Sequence, residues 1–380
     1  MKEKDYEEYC KILNNIEIPS YLDEQAKLER MQPLNDWIIK HTPQKLYKFR
    51  ACNENNITAF RNQQIWFATG SAMNDDYDAI LYCDKKRILA NLNAQFDKDG
   101  ILSLLTMIKN GDKIPQILHD QFGESYITQI SELLKSADKQ LIMSISKYFK
   151  SILEAGITEQ FPFISYATQN SVKISSFSEN IYSPLMWGHY ANNSTGFALA
   201  YDFRNNYYNE CPYCDKLGIA CLNPKLNSIF PIIYDDKLFD ATEYAKYLMQ
   251  DMLTRKLIFE LKVSEQLGNN ILKALVCPDL FMQTKIITRK YNDWRPENEW
   301  RMTISYPSPS YANDKSAYIW KKPSALYLGR KIKDTDELVL RNIAYKQHIP
   351  VYKMIIDDTS SDYRLKPIRQ KNTPKQLLLK

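Results

Sequence analysis

Two apolar stretches, VKISSFS at residues 172–178 and GFALAYDF at residues 196–203, decide the fold of this 380-residue chain. Both are rich in β-branched and aromatic residues, and each has the length of a single strand. In the first stretch Ser176 and Ser178 share one face and Phe177 takes the other, because side chains alternate along a strand. A turn or short helix, MWGHYANN, lies between the stretches, so the sequence predicts a sheet built around them.

Strand-like segments recur on both sides of this centre at irregular spacing. They are LYKFR (46–50), IWFAT (65–69), IFPIIYDD (229–236), a segment beginning near Glu299, ALYLGRKI (325–332) and PVYKMII (350–356). Helical segments of unequal length separate them, among them one that Asn53 caps and the segment DTDELVLRNIAYKQ. The order predicts an α+β fold, because a regular βαβ alternation is missing.

Periodicity and charge divide the chain further. Residues 1–45 have apolar residues at helical spacing and predict a helical lead-in. Residues 46–355 contain the strand signals and predict a single α+β domain, with helical insertions at about 85–160 and about 240–285. Residues 356–380 are basic, and we expect a frayed tail there.

Composition excludes several classes of protein. Hydrophobic residues make up 44% and charged residues 25%, which is typical of a globular protein and excludes a disordered or collagen-like chain. The net charge of +5 is too small to indicate nucleic-acid binding by itself. No run of about 18 apolar residues predicts a membrane span, and the charged N-terminus lacks the apolar core of a signal peptide. We therefore expect a cytoplasmic protein with reduced cysteines.

A pair of carboxylates, Glu297 and Glu299, stands at the entrance to a strand and is the leading candidate for chemistry. Residues two apart on an extended chain point to one side, so both carboxylates are expected in one cleft, with Arg301 following. Two like charges at close range raise one pKa and suit stabilisation of a cation or abstraction of a proton. A solvated acidic pair is the alternative, but Tyr291 and Trp294 beside it favour a pocket wall.

Arg50 ends the strand LYKFR, after Tyr47, and is a candidate for holding a phosphate. The guanidinium fork binds oxyanions through two parallel hydrogen bonds. The hydroxyls of Ser176 and Ser178 share one strand face and could bind a ligand or a carboxylate. A surface arginine and strand serines bonded to the backbone are the alternatives.

The run MWGHY at 186–190 is the most unusual local sequence of the chain. It places Trp187, His189 and Tyr190 together, and His189 is the only histidine within a candidate motif. A lone histidine among aromatic residues is more often a hydrogen-bonded structural residue than a catalyst. No second histidine nearby completes a metal site.

Two motifs contain residue types that bind metals. The loop NDDYD, with Asp75 and Asp78, could hold a divalent ion, although it lacks the glycine and the terminal glutamate of a calcium loop. Cys211, Cys214 and Cys221 could form half of a zinc site or a redox pair, but a fourth ligand and the strand–CxxC–helix setting are missing. We expect a turn in the first case, free thiols in the second, and no metal cofactor.

The motif series LYKFR, NDDYD, ISSFS, LMWGHYANNSTGFALAYDF, K-x8-W-x2-ENEWR and LYLGRKI resembles a bacterial family known as domain of unknown function family 2971. The resemblance covers most of residues 46–355. It is specific as a set, although each motif alone is weak, and it implies no activity by itself.

The order of an arginine strand, a Ser-x-Ser strand and a Glu-x-Glu pair is similar, more distantly, to the Arg-Ser-Glu class of ADP-ribosyltransferases. That resemblance implies a mixed-sheet core of this class with large helical insertions, and NAD as the substrate. In that class the arginine grips the NAD phosphates, the second glutamate stabilises an oxocarbenium-like ribose, and the first selects or activates the acceptor. The resemblance carries these roles over to Arg50, Ser176 or Ser178, Glu299 and Glu297, and the acceptor-recognition turn to Tyr291 and Trp294. We therefore predict catalysis by Glu299, Glu297 and Ser178, NAD binding by Arg50, Tyr47, Ser176, Trp187, His189 and Tyr190, and acceptor recognition by Tyr291, Trp294 and Arg301.

We therefore expect an NAD-dependent ADP-ribosyltransferase or NAD glycohydrolase, acting as a bacterial toxin or phage-defence effector on a protein or nucleic-acid acceptor, with a regulatory partner protein. The alternatives are a non-catalytic nucleotide- or nucleic-acid-binding module, and a metal-dependent nuclease that uses Asp75, Asp78 and the glutamate pair. A cleft that unites Arg50, Ser178 and Glu299 favours the first function, and metal at the two aspartates favours the last.

Overall fold

The computed structural model describes residues 1–88, 100–116, 119, 123–204, 229–260, 262–305 and 318–371. Its α-helices are α1 (Glu3–Asn15), α2 (Glu24–His41), α3 (Glu54–Arg61), α4 (Gly100–Asn110), α5 (Glu124–Lys135), α6 (Lys139–Asn170), α7 (Pro184–His189), α8 (Thr242–Glu260), α9 (Glu265–Ala274), α10 (Met282–Ile287) and α11 (Asp334–Lys346). Short 3-10 helices span Gly70–Ala72 and Asn292–Glu297. No helix within these ranges is long and apolar enough to cross a membrane.

The strands are β1 (Leu46–Arg50), β2 (Gln64–Trp66), β3 (Ala68–Thr69), β4 (Val172–Ser178), β5 (Phe197–Tyr201), β6 (Ile229–Pro231), β7 (Ile233–Asp235), β8 (Arg289–Tyr291), β9 (Glu299–Ser305), β10 (Tyr318–Trp320), β11 (Ala325–Leu328), β12 (Val351–Ile356) and β13 (Leu365–Gln370). Nine of them form one sheet in the order β13-β12-β11-β5-β1-β4-β9-β6, with β3 also paired to β4. β11 and β12 run parallel and the other pairs antiparallel, so the sheet is mixed. The prediction of an α+β fold is confirmed.

One edge of β4 is paired at its two ends but not in its middle. Ser178 lies opposite Tyr47 of β1, and Ile174 lies opposite Ala68 of β3. Between these two pairs β1 diverges from β4, and no described strand pairs with residues 175–177 on this side. The sheet therefore has a gap between β1 and β4.

Each face of the main sheet has its own apolar core. Leu46 and Trp300 point to the face that α1, α2, α3 and α11 cover. Phe49 and Ala198 point to the other face, where α7 contributes the fully buried Trp187. This division follows from side-chain alternation, because neighbouring residues of one strand belong to different cores.

The helical lead-in is part of the main core. Tyr9 of α1 and Leu34 of α2 are fully buried in it, and the Trp37 ring stacks on Trp300 of β9 with centroids 6.5 Å apart. Asp23 caps α2, because its side chain accepts a hydrogen bond from a backbone N–H of the first turn. The first two helices therefore stabilise the sheet directly.

Helices form most of the described residues of the ranges 85–160 and 240–285, as predicted. α4, α5, α6 and α9 share a core separate from the sheet, built from Leu105, Ile108, Ile130, Leu133, Leu134, Ile142, Ile145 and Ile271. The limits of the two insertions and of the domain stay predictions.

Three segments differ from the sequence prediction. IWFAT and IFPIIYDD each form two short strands, because the chain changes sheet at Phe67 and at Ile232. β2 pairs with β10, and β7 pairs with β8, in two separate ribbons. The prediction of a frayed tail is wrong for residues 365–370, which pair with β12 along its whole length.

We expect Leu34→Ala on α2 to lower the free energy of unfolding by about 2–5 kcal/mol, because it leaves a cavity in a closed core. Leu28→Ala on the same helix removes the same atoms from a side chain that is 54% exposed, and should change stability by less than about 0.5 kcal/mol. Urea unfolding of both variants measures the difference. Equal losses would show that α2 does not belong to the core.

Candidate functional site

A cavity of about 270 Å³ opens at the gap between β1 and β4. Strands β1, β4 and β9 form its walls, together with the loops around Asn74 and Tyr190. The structure thus brings Arg50, Ser178 and Glu299 to one cavity. The polar residues that line it are Lys48, Arg50, Asn74, Asp78, Ser176, Ser178, Tyr190, Lys290, Glu297, Glu299 and Arg301.

The two glutamates reach the cavity from different backbone settings. Glu299 begins β9, whereas Glu297 ends the short 3-10 helix before it. Asn298 between them has a left-handed backbone with φ 45°, a conformation that asparagine tolerates better than most residues. Both carboxylates are buried, at 3% and 5% exposure, so the pair is not a solvated acidic face.

Arg301 is the centre of an ion network behind the carboxylate pair, and its side chain is fully buried. Its guanidinium donates to both oxygens of Asp78 at 2.5 and 2.6 Å, and its Nε donates to Glu299 Oε1 at 2.6 Å. Nη1 also donates to the carbonyl of Ile287 at 2.7 Å. Arg301 shares the buried face of Glu299, because the two residues are two positions apart on a strand. Its predicted part in acceptor recognition stays a prediction.

The carboxylates of the network differ in their titration. Burial raises the pKa of Glu299, but Arg301 and Lys290 outweigh it and lower the pKa to about 2. Burial raises the pKa of Glu297, against the attraction of Lys290, whose Nζ donates to Glu297 at 2.8 Å and to Glu299 at 3.3 Å. Burial also raises the pKa of Asp78, against the pull of Arg301. Glu299 is therefore ionised at neutral pH, whereas burial makes the carboxylate of Glu297 easier to protonate.

Two cations of β1 line the opposite side of the cavity. Lys48 Nζ donates to Ser175 Oγ at 2.6 Å and to the Ser176 carbonyl at 3.0 Å, so it spans the gap. The Arg50 side chain makes no ion pair or hydrogen bond with any residue that the structure describes. Burial lowers the pKa of both side chains, and repulsion from Arg50 lowers that of Lys48 further. A bound anion between Lys48 and Arg50 would stabilise their charged forms and so oppose this lowering of their pKa values.

Arg50 and Glu299 leave the sheet on opposite faces. Tyr47, Ser178 and Glu299 lie opposite one another across three strands and share a face. Lys48 and Arg50 alternate with Tyr47 and point to the other face, toward the core of α1 and α2. They share a cavity with Glu299 only because the gap opens through the sheet.

The two serines have different partners. Ser178 Oγ donates to the Glu297 carbonyl at 2.6 Å and accepts from the Asn180 N–H at 3.0 Å. Ser176 is hydrogen-bonded to Glu299 and lowers its pKa. Ser178 therefore fixes the backbone beside Glu297, and Ser176 holds the carboxylate of Glu299.

The MWGHY run contributes two residues to the cavity, Met186 and Tyr190. Tyr190 OH donates to Glu297 Oε1 and accepts from Asn74 Nδ2 at 2.9 Å. Trp187 and His189 do not line this cavity, and their role in NAD binding stays a prediction. The Trp187 ring is buried against Phe49, and His189 points to solvent.

Tyr47, for which we predict a part in NAD binding, is among the residues that line the cavity. Its ring meets Tyr327 edge-on at 5.4 Å, within the core that α7 covers. Tyr47 therefore both lines the cavity and anchors β1 to that core.

A second cavity, of about 310 Å³, adjoins the first at Lys290, which lines both. Tyr291 and Trp294 of the predicted acceptor loop line this second cavity, together with Asp75. Lys290 Nζ lies 4.5 Å from the centroid of the Trp294 ring. The loop thus presents aromatic surface next to Glu297 but outside the first cavity.

The metal-dependent alternative needs Asp75 and Asp78 to meet the two glutamates. Asp78 is instead held by Arg301, and Asp75 lines the second cavity. Among the described residues, three potential ligand atoms come within 4.8 Å of one another at Asp5, Glu8 and His41, remote in sequence from this loop. Cys211, Cys214 and Cys221 lie outside the described residues.

Residues 186–302 match a family model described as protein of unknown function (DUF2971). The match supports the family resemblance over this range. It spans Tyr190, Lys290 and both glutamates, and it stops short of β1 and β4 on the N-terminal side. No curated protein and no solved structure matches the chain.

Sequence reasoning missed two cations of the site. Lys48 lies in the strand LYKFR and alternates with Tyr47 along it. This alternation places Lys48 on the same face as Arg50, and it was the available signal. Lys290 precedes the aromatic loop by one residue, but its contact with Glu297 depends on how the loop folds back. Neither spacing nor composition indicates that Asp78 meets Arg301, 223 residues away.

We expect Arg301→Met to lower the free energy of unfolding by about 3–5 kcal/mol, because it leaves the buried carboxylate of Asp78 without its ion-pair partner and leaves Glu299 paired with Lys290 alone. Arg255→Met breaks an exposed pair with Asp251 four residues away, and should change stability by only about 0.5 kcal/mol. Denaturant unfolding of both variants compares a buried arginine with an exposed one. Similar losses for the two variants would contradict the network.

Proposed function

We propose that the chain is an NAD-cleaving enzyme of the ADP-ribosyltransferase type, either a transferase or an NAD glycohydrolase. One observation carries the proposal: a single cavity contains a buried anion, Glu299, and two partly buried basic side chains, Lys48 and Arg50, that form no carboxylate ion pair among the described residues. The strands that carry Arg50, the two serines and Glu299 are neighbours in the mixed sheet, in the order β1-β4-β9, and this adjacency supports the proposal.

NAD needs both kinds of charge. Its diphosphate is an anion, which a guanidinium fork and an ammonium can hold. Cleavage of the bond between nicotinamide and ribose leaves positive charge on the ribose carbon, which a fixed carboxylate stabilises. Arg50 and Lys48 supply the first interaction in this proposal, and Glu299 supplies the second.

The proposed cleavage of NAD needs neither a metal ion nor a redox partner for its bonds and electrons to balance. The carbon–nitrogen bond breaks and its electron pair neutralises the pyridinium ring, which leaves as nicotinamide. A nucleophile, either an acceptor group or water, then attacks the ribose carbon and loses its proton. Glu297 is the base for that proton, because burial raises its pKa and Tyr190 and Lys290 hold its carboxylate in place. The second cavity, with Tyr291 and Trp294, is the approach for the nucleophile.

A nucleotide-binding module without turnover is the second candidate. Arg301 and Lys290 both bind Glu299, which reduces the field that this carboxylate exerts on a ligand. Binding of NAD without nicotinamide release would favour this candidate.

We expect Glu299→Gln to lower the rate of nicotinamide release from NAD by about 10²- to 10³-fold, because it removes a charge used mainly in the transition state. Glu265→Gln, at an exposed position of α9, is the matched control and should leave the rate unchanged. Labelled NAD and chromatography of nicotinamide give the rate, and a urea titration verifies that the variant is folded. A folded Glu299→Gln variant with full activity would rule out the catalytic role.

Arg50→Ala should raise KM for NAD by about 10- to 100-fold with little change in kcat. The reason is that it removes a contact to phosphate that is equally strong in the ground state and in the transition state. Arg61→Ala, an exposed change on the neighbouring helix α3, is the control. Steady-state kinetics of nicotinamide release separate the two parameters. A fall in kcat alone would place Arg50 outside phosphate binding.

A further inference from the structure

The small ribbon of β2 and β10 has an unusual outer face. Ile65 and Ile319 point inward and are buried, as expected for a ribbon packed on a core. Trp66, Tyr318 and Trp320 point outward, where alternation normally places polar residues. Trp66 is 39% exposed and Trp320 is 64% exposed, so large apolar rings stand in solvent.

These three rings support one another. Tyr318 lies directly opposite Trp66, with centroids 5.0 Å apart and planes tilted by 41°. Trp320 meets Tyr318 edge-on at 4.9 Å. Contacts of this geometry hold aromatic side chains in place, so Trp66 is a preorganised surface and not a loose side chain.

Trp66 also belongs to the cavity. It lines the same space as Lys48 and Arg50, and the chain continues from it into Phe67 and Ala68 of the cavity wall. The aromatic face is therefore continuous with the cationic side of the site.

The cavity is too small to enclose a whole dinucleotide, so part of such a ligand must lie on the surface next to it. Sites that enclose a drug-sized ligand have volumes of about 300–1,000 Å³. A dinucleotide is larger than most such ligands, and a cavity of about 270 Å³ cannot enclose it. If the nicotinamide ribose lies near Glu299 and the diphosphate near Arg50, the second nucleoside must lie outside the cavity, on the side of Trp66.

We propose that Trp66, supported by Tyr318 and Trp320, is the stacking surface for the adenine of NAD. This inference rests on the proposed function for the identity of the ligand. A purine has a broad π-face, and stacking of a base on an aromatic side chain is among the strongest sequence-tolerant contacts of nucleotides. The neighbouring cations complement the diphosphate that joins adenosine to the rest of NAD.

Binding measurements test the stacking surface apart from catalysis. Calorimetric titrations use NAD, AMP and nicotinamide mononucleotide, the last of which lacks adenine. Trp66→Ala should weaken the binding of NAD and of AMP by roughly 5- to 150-fold. The affinity for nicotinamide mononucleotide should change by less than about twofold. Trp66→Phe should restore most of the affinity, because it keeps a ring.

The outcomes separate this inference from the proposed function. Adenine-dependent loss of binding in Trp66→Ala supports the stacking surface, even if Glu299→Gln leaves nicotinamide release unchanged and the catalytic proposal fails. Equal weakening of all three ligands overturns the inference, because Trp66 then only maintains the cavity. Unchanged binding of NAD and AMP by Trp66→Ala also overturns the inference. The same holds if this variant binds NAD and AMP normally but binds a single-stranded oligonucleotide more weakly.

Discussion

The bond between Arg301 and its two carboxylates is the constraint on which the site depends. A guanidinium without solvent is stable only when its charge and its donors are satisfied. Asp78, Glu299 and the Ile287 carbonyl satisfy them here. The loop of Asp78 must therefore close on β9 before either is stable, and the same bonds fix the carboxylate of Glu299 at the base of the cavity.

The gap in the sheet depends on a side chain that replaces hydrogen bonds between strands. An unpaired strand edge inside a protein leaves polar backbone groups without partners, which is unfavourable. Lys48 donates to the Ser176 carbonyl and to the Ser175 hydroxyl across the gap. A side chain thus takes the place of a neighbouring strand, and β1 and β4 can stay apart without an orphaned acceptor at that carbonyl.

Because the gap passes through the sheet, it unites groups from two faces that are normally separate. Arg50 and Lys48 come from one face, and Glu299 and Glu297 come from the other. The result is a cavity with Lys48 and Arg50 on one side, and with Glu297, Glu299 and their partners Lys290 and Arg301 on the other. That separation suits a ligand with an anionic part and a part that becomes cationic during reaction, which is the physical basis of the proposal for NAD.

Sequence alone determined the features that depend on near neighbours. The strands LYKFR and VKISSFS, the cap at Asn53 and the α+β class follow from alternation, β-propensity and capping, which act within a few residues. The carboxylate pair and Arg50 could be singled out for the same reason, since their residue types and spacing are local properties.

Only the tertiary structure decided which charged groups are buried and which partners they have. Arg301 and Trp187 resemble site residues in sequence, but the first is an internal counter-ion and the second is core. The edge strand at 365–370, the contact of Lys290 with Glu297 and the outward rings beside Trp66 likewise depend on segments distant in the chain. Whether a charge or a ring can be buried depends on the residues that pack against it in the folded chain. Those residues are distant in the sequence, so no local pattern predicts them.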